Sequence, residues 1–332
     1  SLFKNDGSAN PSWSKVSIAT NAGADFATDV FAADMDNDGD MDILSVCQND
    51  KTLAWYENDG AADPSWSNAK DIDNNVGSLT SVFAVDIDND GDMDIIVTDQ
   101  DNNDDRTVLF INNGESDPAW SSTNIGDSGA GFNGIRSAKA ADIDNDGDID
   151  VLTISHYTGK IHMYKNTMEK GFSAGWPASV ISTSADGAKD VHAADMDNDG
   201  DIDFVSASWH NSTIAWYKND GANDPSWSAY DIDDNASNAT GVYVADLDND
   251  GDMDIVSSSS ADNTIAWYEN DGANNPTWTA TDISNQAEPA WSVFAADMDN
   301  DGDIDIISSS VNNNKVSWYE NDGAADPSWT VR

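Results

Sequence analysis

Positive charge is what this sequence has least of. Its 332 residues carry 14 lysines and arginines against 62 aspartates and glutamates, for a formal net charge of −48. A field of that sign repels polyphosphate and anionic lipid, which excludes nucleic acid and direct membrane insertion from the partner classes. Long apolar runs are also missing, and none in the sequence approaches the roughly 20 residues that a spanning helix needs. No stretch shows a helical apolar stripe. Histidine is scarce at four copies. No serine–histidine–acid spacing, glycine-rich phosphate loop or histidine-rich metal cluster is visible, so no catalytic residue is assigned. The single cysteine, Cys47, rules out an internal disulfide. Set behind Leu44, Ser45 and Val46, it reads as a small buried strand residue.

What the chain has in abundance is aspartate, arranged in a period. The pattern D-x-D-x-D-G-D-x-D occurs six times, starting at Asp34, Asp86, Asp142, Asp195, Asp246 and Asp297, at steps of 52, 56, 53, 51 and 51 residues. A second element, Trp55-Tyr56-Glu57-Asn58-Asp59-Gly60 and its variants, appears seven times when Leu2-Phe3 and Leu109-Phe110 are included. A third is a tryptophan opening the next short run, at Trp13, Trp66, Trp120, Trp176, Trp227, Trp278 and Trp329. A period of this length indicates stacked supersecondary units.

Each unit reads as four strands: Val82–Val85, running into the aspartate loop; Asp94–Val97; an alternating third such as Thr264–Tyr268, stopped by Asn270-Asp271-Gly272; and a fourth from Trp278. The expected fold is therefore an all-β propeller of four-stranded antiparallel blades, one domain over residues 1–332. Six copies of strands one and two stand against seven of strands three and four. A seven-bladed ring is expected, with a half-blade at residues 1–20 completed by a segment beyond this chain. A six-bladed ring with that half-blade left over is the alternative. The chain opens inside a repeat, at Leu2-Phe3-Lys4-Asn5-Asp6-Gly7, and so reads as a trimmed or mature piece of something longer.

The chemistry of the aspartate loop is specific. Carboxylates at positions 1, 3 and 5 converge because the glycine at position 6 lets the backbone turn sharply. A backbone carbonyl at position 7 and a carboxylate at position 9 complete a set of hard oxygens suited to calcium. The expected metal residues are Asp34, Asp36, Asp38, Asp40 and Asp42 in loop 34–42, and Asp86, Asp88, Asp90, Asp92 and Asp94 in loop 86–94. They continue with Asp142, Asp144, Asp146, Asp148 and Asp150 in loop 142–150, and Asp195, Asp197, Asp199, Asp201 and Asp203 in loop 195–203. The last two sets are Asp246, Asp248, Asp250, Asp252 and Asp254 in loop 246–254, and Asp297, Asp299, Asp301, Asp303 and Asp305 in loop 297–305. One Ca²⁺ per loop, about six in all, would offset self-repulsion that such turns otherwise carry, and folding is expected to depend on it. Calcium sites of modest affinity suit the millimolar calcium outside cells, so a secreted or cell-surface location is expected. The glycosylation-type triplets at Asn211, Asn235 and Asn238 fit that route.

With Val-Phe-Ala-Ala-Asp before it and Asp-Ile-Leu-Ser-Val after it, the loop motif resembles the calcium-bearing repeat of the FG-GAP/VCBS proteins, a propeller family that includes the head of integrin α chains. The resemblance covers essentially the whole chain. It implies the fold and the metal, and it leaves activity open, since such repeats serve as adhesion modules, lectins and attachments to polysaccharide-degrading enzymes.

The evenly spaced tryptophans read first as wedges between blades. Departures from the repeat point elsewhere. His156 and Tyr157 in one unit and Trp209 and His210 in the next lie in the connection from strand two to strand three, and His156 and Trp209 each fall fourteen residues after their motif's first aspartate. The preceding unit has a longer acidic version, Asp99 to Asp105, followed by Arg106. Connections from strand four to strand one bring Arg136, Lys189 and His192 toward the same face. Arg136, His156, Tyr157, Lys189, Trp209 and His210 are thus the candidate ligand-binding residues, for an extracellular protein or a glycan. The expected function is a calcium-stabilised adhesion or structural module within a larger assembly. The alternatives are a carbohydrate-binding lectin, or a lyase acting on acidic polysaccharide through His156, Tyr157 and His210 with Arg136.

Overall fold

A computed structural model describes residues 1–8, 11–18, 26–61, 63–74, 76–100, 105–127, 133–167, 176–287 and 289–332. Among the described residues there is no helix. Six four-stranded antiparallel sheets span residues 27–73, 79–127, 135–182, 188–233, 239–284 and 290–331, and a two-stranded sheet pairs Leu2–Asn5 with Trp13–Val16. In each four-stranded sheet the strands pair in chain order. These are the blades of a β-propeller, called blades one to six below. The chain divides into two compact units, one of Ser1–Lys4, Ser14–Asp142 and Gly147–Ile181, the other of Asn5–Trp13, Ile143–Asp146 and Ser182–Arg332.

Blade five shows why the sequence folds this way. Its second strand, Asp254–Ser259, is buried at every residue, because small and β-branched side chains on both faces meet neighbouring strands. The first strand, Ala239–Ala245, pairs with it through a register shift between Ala239 and Gly241. The hairpin to the third strand turns at Asn263, whose φ is +64°, a conformation that asparagine tolerates.

Each unit has its own interlocking core. In the first, Leu44, Val46 and Trp55 of blade one pack with Val82, Ala84 and Val97 of blade two, and Trp120 lies against them. In the second, Trp216 of blade four packs with Val242 and Ile255 of blade five, and Trp278 meets the Trp216 ring edge-on at 6.4 Å. Trp267 and Trp329 repeat that contact at 6.5 Å. The third-strand tryptophans are buried and those of the fourth strand close over them, so the expected wedge role holds for these residues.

The blades are stitched by polar bonds as well. Asp29 of blade one accepts from the Val82 amide of blade two at 3.0 Å, and Asp190 of blade four accepts from Val242 of blade five at 3.2 Å. Buried Asn270 and Asn321 donate to the carbonyls of Met196 and Leu247 in the preceding blade's aspartate loop, at 2.9 and 2.8 Å. Asn5 makes the same bond to Met298 at 2.6 Å, which gives the two-stranded sheet the register of a seventh blade. The outer positions agree. Val30 is 63% exposed where Val82 and Val242 are buried at 3% and 2%. Val316 is likewise exposed where Ile214 and Ile265 are buried.

One buried titratable group lies outside the repeat logic. His162, in the third strand of blade three (Lys160–Tyr164), occupies the place of Ala215 and Ala266 and is buried. Burial, helped by the charge of Lys160, lowers its pKa to about 4. The folded state therefore holds the neutral imidazole, and its contribution is complete above pH 6.5 and lost as pH falls from there toward 4. The loss amounts to about 3 kcal/mol at the acid end. Thermal melts between pH 7 and 4.5 should show a shallower acid decline for His162→Ala than for the parent protein; parallel curves would refute this.

Candidate functional site

The six aspartate loops share one backbone, and their local bonds explain the sequence position by position. The first carboxylate caps the turn: Asp246 accepts from the amides of Asp250 and Gly251, both at 3.1 Å, as Asp34 does from Asp38 at 3.1 Å and Gly39 at 2.9 Å. The fifth does the same two residues on, with Asp250 accepting from Asp252 at 2.9 Å. Gly251 at position 6 has φ +96°, a backbone that other residues rarely adopt.

These caps leave the third carboxylate facing inward. One oxygen each of Asp36, Asp88 and Asp299 is buried without a hydrogen-bond partner. Within each unit, one oxygen from each of Asp34, Asp36 and Asp42, of Asp86, Asp88 and Asp90, of Asp195, Asp197 and Asp199, and of Asp246, Asp248 and Asp250 can lie within 4.8 Å of the others. Burial first, and the neighbouring carboxylates after it, push the Asp36 and Asp248 carboxyls up to about 6. Oxygens gathered, dehydrated and lacking donors fit a hard divalent cation. The copy at 142–150 carries the same residues.

Positions 7 and 9 do more than the ligand pattern requires. The seventh carboxylate accepts from the position-4 asparagine of the preceding loop: Asn198 donates to Asp252 at 2.6 Å, Asn249 to Asp303 at 2.9 Å and Asn37 to Asp92 at 2.5 Å. These asparagines have φ near +60°. The seventh carboxylate also leans on the Asn-Asp-Gly turn, so closely that a Cβ on Gly272 would sit 2.1 Å from an Asp252 oxygen. Glycine is required there twice over, since its φ is +67°. The ninth carboxylate is a buried brace. Asp254 accepts from the amides of Leu247 at 3.2 Å and Asn270 at 2.8 Å. Asp203 accepts from Met196, Asn219 and the Trp216 indole. Burial raises Asp94, Asp203 and Asp254 to about 7 against the pull of these donors. The position-4 asparagine escaped the sequence reading although it recurs in all six loops, as Asn37, Asn89, Asn145, Asn198, Asn249 and Asn300.

The candidate ligand residues fall in both units. In the first, His156 is buried with its ring 4.9 Å from that of Tyr157, which is exposed, and Arg136 sits half-buried at a strand bulge. That burial takes His156 out of reach of a polymer and weakens the lyase alternative. Most of the acidic Asp99–Asp105 stretch lies outside the described residues, while Arg106 pairs with Asp99 at 2.7 Å. In the second unit, His210 lies 3.1 Å from Asp186, and the His192 ring packs 4.5 Å from Tyr243. Lys189 and Trp209 come together: the Lys189 ammonium lies 4.9 Å from the Trp209 ring centre and 5.4 Å from that of Trp291. The two indoles meet edge-on at 6.0 Å, and Trp291 is 44% exposed. Trp291 was missed by the sequence reading. Its signal is that it holds the first-strand bulge position occupied by Thr28, Thr80, Arg136, Lys189 and Thr240 in the other blades.

Fold and loops together define a repeat-built β-propeller whose blades each carry an aspartate-rich loop able to hold a metal ion. Matches to the FG-GAP-like repeat run over residues 34–97, 86–153, 142–206, 195–257 and 247–308, and the chain belongs to that family. No curated protein matches it. Among solved structures it is similar to a lectin from Agrocybe aegerita that specifically recognises non-reducing terminal N-acetylglucosamine, with a TM-score of 0.68 at 18% identity over 98% of this chain and 85% of that one. It is also similar to BBS1N solved in complex with ARL6DN, with a TM-score of 0.57 at 9% identity over 94% and 84% of the chains. A luciferin-regenerating enzyme gives 0.52 at 9% identity, over 88% and 87%. At these identities the likeness is one of fold.

Proposed function

We propose that this chain is a calcium-stabilised binding module that works outside the cell and recognises a glycan through the face built by Trp209, Trp291 and Lys189. The observation that carries this reading is the indole pair beneath a lysine, with Trp291 exposed and Trp209 half-buried. An indole face accepts the C–H side of a pyranose, and a cation beside it can bind a hydroxyl or carboxylate. Aromatic surface left open on an otherwise acidic protein marks a recognition site more often than a scattered exposed residue does. The lectin among the structural neighbours supports the class of ligand and says nothing of the sugar. The aspartate loops serve this function from a distance, by holding the blades that carry the face.

A glycan array probed with the folded protein in millimolar calcium tests the reading. Saturable binding to at least one class of glycan is expected, and Trp291→Ala should weaken it at least tenfold, about 1.4 kcal/mol, with an unchanged melting temperature. Folded protein that binds no glycan, or a Trp291→Ala variant that binds like the parent, would refute it.

A further inference from the structure

The residue after each third-strand aromatic pair approaches the aspartate loop of its own blade. In blades one, five and six it is glutamate, Glu57, Glu269 and Glu320, and the next amide in each, that of Asn58, Asn270 and Asn321, donates to Asp42, Asp254 and Asp305 of the same blade's loop at 2.8 Å. In blade three the same position is Lys165 and in blade four it is Lys218. The Lys218 ammonium pairs with Asp197 and lies 3.1 Å from Asp199. It also reaches the Asn274 carbonyl at 3.5 Å and stands 5.9 Å from the Trp216 ring centre. Asp197 and Asp199, with Asp195, are the carboxylates that converge in this loop. The Asp197 side chain is fully buried and that of Lys218 is 25% exposed, so little water screens the pair. The ammonium thus occupies the ground that a metal ion would take among these carboxylates.

We propose that Lys218 is the resident counter-ion of loop 195–203, and that this loop takes calcium far more weakly than the glutamate-flanked loops of blades one, five and six. The proposal rests on the calcium reading of the loops. A divalent ion entering beside an ammonium at about 4 Å meets a repulsion worth well over tenfold in affinity, even at an effective dielectric of about 20. Displacing the ammonium instead breaks its bonds to both carboxylates. The loops are then unequal: those of blades one, five and six carry an added carboxylate that strengthens calcium binding, and that of blade four carries its own cation and stays shaped when calcium is low. Blade four, which presents Trp209 and Lys189, would keep its loop formed under conditions that empty its neighbours.

Equilibrium dialysis of the full chain over graded free calcium, with bound metal counted by atomic spectroscopy, tests this. Lys218→Glu should bind one more ion in the tight class than the parent, with the added site at least tenfold tighter than the parent's. Asp197→Asn should leave the parent's tight count unchanged, whereas Asp248→Asn should lower it by one. A tight ion lost on Asp197→Asn, or a Lys218→Glu count equal to the parent's, overturns the proposal; the Asp197 result decides alone if Lys218→Glu fails to fold. Absence of ions from every loop at millimolar calcium overturns the calcium reading itself, and this proposal with it.

Discussion

Excess chelator should lower the melting temperature by roughly 15 °C, or unfold the chain outright at room temperature. The size follows from the loops. Each brings a buried or half-buried third carboxylate against its neighbours, and in Asp36, Asp88 and Asp299 one oxygen has no donor from the protein. Holding that arrangement without a cation costs desolvation and like-charge repulsion, which is why Asp36 and Asp248 are pushed up to about 6. An ion supplied at about a hundredfold excess over its dissociation constant stabilises the folded state by about 2.7 kcal/mol per site. Four filled loops amount to about 10 kcal/mol, comparable to the whole stability of a typical domain. Calcium added back should restore the melt, and magnesium should do so poorly, because it holds its water and demands a tighter octahedron. A melt that does not move in excess chelator would end the calcium reading.

What the sequence made legible was the part of the fold decided within one repeat. Strand alternation, the Asn-Asp-Gly turn and the carboxylates at odd loop positions all act over a few residues, so the period displays them. What it hid depends on the neighbouring repeat. That Asn249 bonds Asp303, or that Asn270 reaches Met196, requires knowing how one blade's third strand meets the preceding blade's loop, and that register is written in no single repeat. The proposed ligand face was half visible for the same reason. Lys189 and Trp209 stood out as departures within their own unit, whereas Trp291, two blades on, joins them only through packing. Lys218 was readable as a change of sign at a glutamate position, but its meaning needs the distance to Asp197 and Asp199. Blade number was open to counting alone, and the bond from Asn5 to Met298 favours the seventh register because it repeats what Asn321 does to Leu247.

Replacing Asp254 with asparagine should destabilise the protein by about 2 to 4 kcal/mol, and should do so with or without calcium. The ninth position counts as a metal ligand by pattern, yet the Asp254 carboxylate already accepts two backbone amides, those of Leu247 and Asn270, and is buried at 1% exposure. An asparagine keeps one acceptor and turns its NH₂ toward the other amide, so a buried N–H loses its partner and two donors face each other. The damage spreads along the bonded path. Asn270, held by Asp254, donates to the carbonyls of Met196 in the preceding loop and Met253 in its own, so loosening one brace relaxes two loops. Melts of Asp254→Asn and parent, each with calcium and with chelator, separate the roles. A purely ligating aspartate would show its loss only with calcium, whereas a brace shows a loss of similar size in both. A variant that melts within a degree or two of the parent under both conditions would show that the amides find other acceptors and that Asp254 holds nothing together.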